Sequence, residues 1–341
     1  MPSGEGLMGS STAMAVVDAS QVVALRQAVA ALCRSAGLDE SEGGRASIVA
    51  TEAATNVVKH GRGGEVVISP LQLGEAVGIE LLALDRGPGI PAMAARAGGQ
   101  STAGPRGRGF DAIRRESTQF DLYTRPGQGT ALLSRIWHGA PPTTSLDLAA
   151  LCVAKPGESE CGDFWSFEAR PGGGRIVVAD GVGHGPFARE AALAVLRATR
   201  RRPPGAASAL EDAHRAARGT RGAAVAIVEV DLATQEICFA GFGNVAGVLV
   251  GPEGVQSMIS MSGTAGQGNL KSREFTYRFA RGALLVMSSD GLTPQWSLEQ
   301  YAGLARRPPS LVAGVLYRDH SPRRDDVTVV AARLGPPSLS P

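Results

Sequence analysis

Acidic residues stand at the ends of apolar strands at several places in the second half of the chain. Residues 177–185 read Val-Val-Ala-Asp-Gly-Val-Gly-His-Gly, so that an apolar strand leads into Asp180 and glycines open the turn behind it. Comparable settings hold Asp163, Asp290 and the adjacent pair Asp325 and Asp326. Such carboxylates are costly unless a cation balances them, and Mg²⁺ and Mn²⁺ prefer oxygen ligands. Two ions about 3.5–4 Å apart can hold a phosphate and activate a water for in-line attack. The pattern predicts a metal-dependent phosphohydrolase.

A predicted helix over residues 44–60 carries a stripe of polar side chains. Glu52, Asn56 and His60 are spaced four residues apart and therefore share one helix face. A carboxylate and an amide on one stripe can orient a nucleophile and ligate Mg²⁺. On these three residues alone, a solvated helix face is the better interpretation.

Three glycine-containing segments follow in the first half. An apolar strand ends at Asp85, and Gly87 and Gly89 come directly after it. This aspartate can accept a hydrogen bond from an adenine amino group, although a simple turn explains it equally well. Residues 104–109, Gly-Pro-Arg-Gly-Arg-Gly, precede a helix, where backbone N–H groups can hold phosphate, but a lone glycine loop is weak evidence. Residues 127–130, Gly-Gln-Gly-Thr, resemble a hairpin turn.

The order of these four elements is more specific than any one of them. Together they resemble the GHKL family of ATPases, in its compact branch of anti-sigma factors and switch kinases, over about residues 14–138. The segment Asp-Arg-Gly-Pro-Gly-Ile at Asp85 is more similar to RsbT-type serine kinases than to RsbW-type anti-sigma factors. The resemblance implies ATP and Mg²⁺ as cofactors, with Glu52 as general base toward a substrate hydroxyl, Asn56 as Mg²⁺ ligand and Asp85 on adenine. It also implies a pocket shaped by Gly87, Gly89, Gly107 and Gly109, with Thr130 beneath the adenine.

Two departures from the family pattern fall in the glycine-rich loop. Pro105 removes a backbone donor from the segment that would cover the phosphates. Arg106 and Arg108 stand where small or apolar residues are common, so that they either add phosphate contacts or mark a weakened ATPase. Both interpretations remain open from the sequence.

The acidic motifs of the second half resemble those of PPM-type serine/threonine phosphatases. The Asp-Gly-Val-Gly-His-Gly segment, the glycine turn at residues 241–245 and the Asp-Asp-Val-Thr-Val-Val ending are similar to the bacterial SpoIIE and RsbX branch, over about residues 146–335. The resemblance implies that Asp180 bridges two Mn²⁺ or Mg²⁺ ions and that the carbonyl of Gly181 is a further ligand. Asp163 and Asp290 would complete one metal site.

Several assignments within this phosphatase pattern stay open. One of Asp325 and Asp326 is expected to bind metal, and the family pattern favours Asp325. His184 can protonate the leaving oxygen, but a turn histidine between glycines is at least as good an interpretation. Arg170 and Arg175 are candidates for binding substrate phosphate, with a solvated surface position favoured for both.

The expected fold class is α+β, with two domains in 341 residues. An N-terminal GHKL (Bergerat) α/β sandwich over 14–138 is followed by a linker over 139–145 and by a PPM-type β-sandwich flanked by helices over 146–335. Residues 1–13 are expected to be disordered, and 336–341 form a tail.

Composition excludes several classes of protein. The net charge of +2 gives no field for nucleic acid or an anionic membrane, and no apolar run approaches the ~18 residues of a membrane span. Four cysteines without a Cys-x-x-Cys pair argue against a structural zinc site. The N-terminus lacks the charged region of a signal peptide, so a cytoplasmic protein is expected.

These observations lead to three functional hypotheses. The first is a partner-switching regulator that phosphorylates and dephosphorylates a Ser or Thr of a STAS-domain protein, either an anti-sigma antagonist or a stressosome-like scaffold. In the second, only the phosphatase works and the first domain senses nucleotide. In the third, the first domain is a binding module that sequesters a sigma factor, an anti-sigma factor or a STAS protein.

Overall fold

The computed structural model describes residues 9–90, 108–200 and 205–335 of the chain. It divides into two compact units. Within the described ranges, the first unit comprises residues 11–142 together with 310–318, and the second unit comprises the rest. Residues 310–318, which the sequence analysis assigned to the second domain, belong to the first unit.

The described residues contain six α-helices. They are α1 (Ala19–Ser35), α2 (Glu40–His60), α3 (Arg108–Glu116), α4 (Pro186–Thr199), α5 (Gly205–Ala216) and α6 (Pro309–His320). Both α1 and α2 begin with a capping box, formed by Asp18 with Gln21 and by Asp39 with Glu42. The second box explains why α2 begins four residues before the predicted start at Gly44. None of the helices in the described ranges combines the length and the apolar character needed to cross a membrane.

The first unit is a five-stranded antiparallel sheet covered by helices. Its strands follow the order β1-β2-β3-β5-β4. They are β1 (Thr12–Val16), β2 (Gly64–Leu73), β3 (Ala76–Asp85), β4 (Gln119–Thr124) and β5 (Thr130–Trp137). Leu25 and Val29 of α1 and Val49 of α2 pack on Ile68 and Leu81 of the sheet. Strand β1 begins inside the segment expected to be disordered, while residues 1–8 of that segment lie outside the described ranges.

The opposite side of β3 is covered by residues 310–318 of α6. Leu82 alternates with Leu81 along the strand, so the two side chains face opposite sides of the sheet. The backbone at Gly314 lies so close to Leu82 that a Cβ at this position would collide with it. Ser310 Oγ donates to Glu80 Oε2 at 2.7 Å, and Arg318 Nη1 donates to the backbone oxygen of Asp85 at 2.9 Å. The first unit is therefore discontinuous in sequence.

The second unit is a β-sandwich of two five-stranded antiparallel sheets. Their strand orders are β13-β10-β9-β8-β7 and β12-β11-β14-β15-β6. The strands are β6 (Asp147–Val153), β7 (Asp163–Arg170), β8 (Gly173–Gly181), β9 (Ala223–Asp231), β10 (Glu236–Phe242), β11 (Ala246–Gly251), β12 (Gly254–Ser257), β13 (Phe275–Arg278), β14 (Ala283–Ser288) and β15 (Val327–Leu334). Their inner faces meet in one core that includes Phe167, Ile176, Phe239, Leu285 and Val330.

Helices α4 and α5 cover the outer face of the sheet that contains β8. Val195 of α4 and Leu210 of α5 share a buried apolar cluster with Val177, Ala179 and Val225. Two adjacent residues of β8 therefore serve different sides, since Val178 lies in the inner core and Ala179 beneath the helices. This layer fixes the end of β8, where Asp180 lies.

Candidate functional site

Four acidic residues of the second unit gather around the end of β8. Asp163 begins β7 and is the direct cross-strand partner of Asp180 near the end of β8. Asp290 follows β14, and Asp325 precedes β15, the neighbour of β14 in the other sheet. The charges of Asp163, Asp290 and Asp325 all act on Asp180. The sequence-predicted carboxylates therefore converge.

Burial and mutual repulsion disfavour the charged forms of these carboxyl groups. Burial, with the charge of Asp326 added, raises the pKa of Asp163 to about 7. Burial, followed by the charge of Asp163, raises the pKa of Asp180 to about 9. Partial desolvation and then the charge of Asp325 raise the pKa of Asp290. A divalent cation would reverse this cost, and an all-oxygen donor set fits Mg²⁺ or Mn²⁺.

Two polar side chains hold members of this acidic cluster in place. Ser289 Oγ donates to Asp163 Oδ2 at 2.6 Å and accepts from the N–H of Thr328 at 2.9 Å. Asn244 Nδ2 donates to Asp290 Oδ2 at 2.7 Å. Sequence reasoning assigned no role to Ser289 or Asn244. The only signals for them were their places beside an acidic motif and in the glycine turn at 241–245.

The adjacent residues Asp325 and Asp326 have different surroundings. Asp326 is 3% exposed, and its two oxygens accept from the N–H groups of Lys155 at 2.8 Å and of Gly162 at 2.9 Å. Asp325 is exposed, and its charge raises the pKa values of Asp180 and Asp290. The carboxylate of Asp326 thus ties two loop segments together, whereas the charge of Asp325 acts on the acidic cluster.

The turn after Asp180 depends on its glycines. A Cβ at Gly181 would collide with the backbone oxygen of Ala188 in α4, and Gly183 and Gly185 have φ values of +90° and +73°. Between them, His184 is exposed, and its Nδ1 lies 2.7 Å from Glu158 Oε1. The turn therefore presents an imidazole that is oriented by a carboxylate.

The two arginines proposed for phosphate binding are engaged elsewhere. Arg175 is 1% exposed; its guanidinium binds Glu229, its cross-strand partner on β9, and donates to Thr199 O at 3.2 Å. Arg170 pairs with Glu168 and Glu229, each at 3.3 Å. The solvated position expected for Arg175 is wrong, because a carboxylate on the neighbouring strand stabilises the buried charge.

In the first unit, Asp85 and Thr130 meet at the ends of neighbouring strands. They are direct partners in the β3–β5 register. Asp85 Oδ1 accepts from the N–H of Gly87 at 2.8 Å and of Thr130 at 3.2 Å. Burial raises the pKa of Asp85, while these N–H groups and the charge of Arg318 lower it. Because both bonds go to Oδ1, Oδ2 is the oxygen that is suited to accept from a ligand.

Glycines allow close backbone contact around Asp85. Gly129 has φ +79°, and a Cβ there would collide with Asp85 O. Gly89 has φ +72°, and a Cβ there would collide with Arg125 O. The hairpin at 127–130 therefore packs closely against the backbone at Asp85.

Glu52, Asn56 and Gly109 lie together where α2 passes the start of α3. A Cβ at Gly109 would lie 2.9 Å from Glu52 Oε2 and 3.5 Å from Asn56 Oδ1. Among the residues that the structure describes, the buried Asn56 Nδ2 has no hydrogen-bond partner, an unusual cost that points to a ligand. His60 is exposed in the last turn of α2, and the predicted pocket residue Gly107 lies outside the described residues, as does Pro105.

The two halves of the chain match two family models. Residues 170–335 match the family described as Stage II sporulation protein E (SpoIIE), and residues 16–135 match the Histidine kinase-like ATPase domain. The chain is 24% identical over 184 residues to phosphoserine phosphatase RsbX of Bacillus subtilis (strain 168), covering 53% of this chain and 90% of RsbX. It is 25% identical over 131 residues to serine/threonine-protein kinase RsbT of the same organism, covering 38% of this chain and 98% of RsbT.

Solved structures show the same fold for the second half. A chain from the structure described as "The bacterial stressosome: a modular system that has been adapted to control secondary messenger signaling" has a TM-score of 0.52 and 27% identity, covering 55% of this chain and 99% of that one. The structure of RsbX in complex with magnesium has a TM-score of 0.50 and 22% identity, covering 57% of this chain and 97% of RsbX. At 22% identity, the similarity to the RsbX structure shows a shared fold only.

The chain joins an N-terminal domain of the histidine kinase-like ATPase type to a C-terminal PPM serine/threonine phosphatase domain of the SpoIIE type. The predicted fold class and the predicted fusion are confirmed. The residue roles within each site remain predictions that the geometry described above supports.

Proposed function

We propose that this chain is a partner-switching regulator whose second unit removes phosphate from a Ser or Thr of a protein partner and whose first unit adds it. The convergence of Asp163, Asp180, Asp290 and Asp325 supports the phosphatase most directly. The similarity of the two halves to RsbX and RsbT supports opposing activities on one partner. A STAS-domain anti-sigma antagonist or stressosome-like protein is the proposed substrate.

In the phosphatase half, Asp163, Asp180, Asp290, Asp325 and the carbonyl of Gly181 would hold two Mg²⁺ or Mn²⁺ ions. When bound, such ions supply positive charge that holds the phosphate and lowers the pKa of a water. Ser289 keeps one Asp163 oxygen fixed, and Asn244 does the same for Asp290.

Proton delivery to the leaving group is assigned to His184. Its Nδ1 is held by Glu158 at 2.7 Å, which leaves Nε2 for the serine or threonine oxygen as the phosphorus–oxygen bond breaks.

In the ATPase-like half, Asp85 Oδ2 would accept from the adenine amino group while Thr130 lies beneath the ring. Asn56 would ligate the Mg²⁺ that accompanies ATP. Glu52 would take the proton of the substrate hydroxyl as that oxygen attacks the terminal phosphorus. Asn56 Nδ2, which has no hydrogen-bond partner among the described residues, and the close packing at Gly109 fit a ligand with an acceptor such as a phosphate oxygen at this place.

Pro105 favours a second candidate function. A proline lacks the N–H that the phosphate loop would contribute, which weakens the support for phosphotransfer. In this alternative the second unit is the only enzyme, and the first unit is a nucleotide sensor or a module that binds a STAS protein, a sigma factor or an anti-sigma factor.

The deciding experiment uses the full chain with Asp180→Asn and STAS proteins from the same genome. Each STAS protein is incubated with Mg-ATP and the variant, and its intact mass is measured. We expect a gain of one phosphate that wild-type protein with Mn²⁺ removes and that the double variant Glu52→Ala, Asp180→Asn does not add. No gain with any STAS protein, together with retained ATP binding, would replace the kinase by the nucleotide sensor.

A further inference from the structure

An arginine outside the predicted site lies against the turn that follows Asp180. Gly181 at the end of β8 pairs with Ala223 at the start of β9, and Val182 N donates to Gly222 O at 2.9 Å. The residue before Gly222 is Arg221, and its Nη1 lies 3.0 Å from where a Cβ on Gly183 would stand. The absence of a side chain at Gly183 therefore leaves space that the guanidinium of Arg221 occupies.

Neighbouring residues fix the position of Arg221. The carbon of its guanidinium lies 5.0 Å from the centroid of the Phe187 ring, within range of a cation–π interaction. Its backbone oxygen accepts from Gln267 Nε2 at 2.9 Å. Phe187 lies in the first turn of α4 and is 62% exposed, so its ring is accessible to the guanidinium.

The guanidinium of Arg221 contacts the Phe187 ring, but the described part of the chain supplies no counter-charge for it. In contrast to Arg170 and Arg175, no carboxylate of the described residues forms an ion pair with its guanidinium. Arginine presents a planar set of donors that matches two oxygens of a phosphate. A guanidinium against the turn that follows Asp180 cannot ligate a metal ion, but it suits the phosphate that the metals would hold.

We propose that Arg221 binds the phosphate group of the substrate phosphoserine or phosphothreonine and that Phe187 positions its guanidinium. This inference rests on the proposed phosphatase function and assigns the phosphate contact, which the sequence sought in β7 and β8, to the segment just before β9. Arg221 donates to two phosphate oxygens that remain on phosphorus throughout hydrolysis, and it transfers no proton.

The test compares Arg221→Gln with Arg218→Gln in the full chain. Arg218 is also exposed and lies three residues earlier, so its loss changes the net charge equally. With Mn²⁺ present, we expect Arg221→Gln to raise KM for a phosphoserine peptide and for p-nitrophenyl phosphate by about 10- to 100-fold. The Kd of inorganic phosphate, measured by titration calorimetry, should rise by a similar factor. Arg221→Lys should recover part of both losses, and Arg218→Gln should change neither.

Phe187→Ala provides an independent measurement of the positioning role. We expect a smaller rise in KM and in phosphate Kd, about 2- to 5-fold, in the wild-type background and none in the Arg221→Gln background. An unchanged phosphate Kd in Arg221→Gln, or an equal rise in Arg218→Gln, would overturn the proposal. The two proposals can fail separately. If the chain hydrolyses no phosphoprotein, the phosphatase proposal is refuted. The role of Arg221 is still tested, because phosphate binding is measured without turnover.

Discussion

Asp85 of the first unit and Asp180 of the second occupy the same local position, at the end of an apolar strand with a glycine close behind. Burial raises the pKa of both carboxyl groups. The cross-strand partner differs: Thr130 offers its N–H to Asp85, whereas Asp163 adds a second carboxylate beside Asp180. One aspartate is thereby prepared to accept a hydrogen bond, and the other requires a cation. The neighbouring strand, not the motif itself, decides the chemistry.

The largest expected effect comes from Asp180→Asn. We expect a loss of about 1,000-fold or more in phosphatase kcat, because the proposed bridging ligand is gone. In the metal-free protein the same change should raise the Tm, since it removes a repelling carboxylate. Scanning calorimetry in EDTA and steady-state assays in Mn²⁺ provide the two measurements. A lower Tm of metal-free Asp180→Asn would contradict the conclusion that the carboxylates of the acidic cluster repel one another without metal.

In contrast to Asp180→Asn, Asp85→Asn should affect ligand binding but not stability. An amide can still accept from the N–H groups of Gly87 and Thr130, so we expect little change in Tm. ATP binding should weaken by about 10- to 100-fold, because an amide oxygen is a poorer partner than a carboxylate for the adenine amino group. ITP lacks that amino group, and its affinity should change much less. Fluorescence titration with both nucleotides separates recognition of the base from a general loss of the pocket.

Asp325→Asn and Asp326→Asn separate metal binding from loop packing. Asp326→Asn should lower the free energy of unfolding by about 1–3 kcal/mol even without metal, because its two oxygens accept backbone N–H groups in a buried place. Asp325→Asn should leave metal-free stability unchanged or higher and should weaken Mn²⁺ binding. Urea unfolding in EDTA measures the stability of both variants, and calorimetry measures their Mn²⁺ binding. If Asp325→Asn lowered stability and Asp326→Asn weakened Mn²⁺ binding, the two roles would have to be exchanged.

The metal-free acidic cluster also predicts an inverted pH dependence of stability. The pKa values of Asp163 and Asp180, about 7 and about 9 in the folded chain, exceed those of the unfolded chain. The folded state then binds more protons, so this contribution is fully present below the unfolded pKa of about 4 and is lost progressively as pH rises from there through 7 and 9. We expect urea unfolding in EDTA to show a downward slope over this window that is smaller in Asp180→Asn. Saturating Mn²⁺ should abolish the slope.

The sequence predicted the strand ends that carry Asp85 and Asp180, because each follows from a local apolar run and a turn. It did not predict the partner of Arg175, since Glu229 reaches it only through strand pairing over a long sequence separation. Arg221 was missed for the same reason: its relation to Gly183 depends on how β9 begins beside β8. The sequence also did not predict that residues 310–318 belong to the first unit. Apolar residues lie on all sides of this helix segment, so its sequence pattern indicates no single buried face.

The membership of residues 310–318 in the first unit has a consequence for how the protein is made. A ribosome that has completed residue 142 must add the rest of the chain up to Arg318 before the covering helix segment exists, which at common translation speeds takes roughly 10–35 s. During that interval Leu82 and Leu84 of the nascent chain lack the segment that covers them. Completion of the ATPase-like half is therefore timed by synthesis of the phosphatase half, and a chain released before residue 310 cannot finish its first unit.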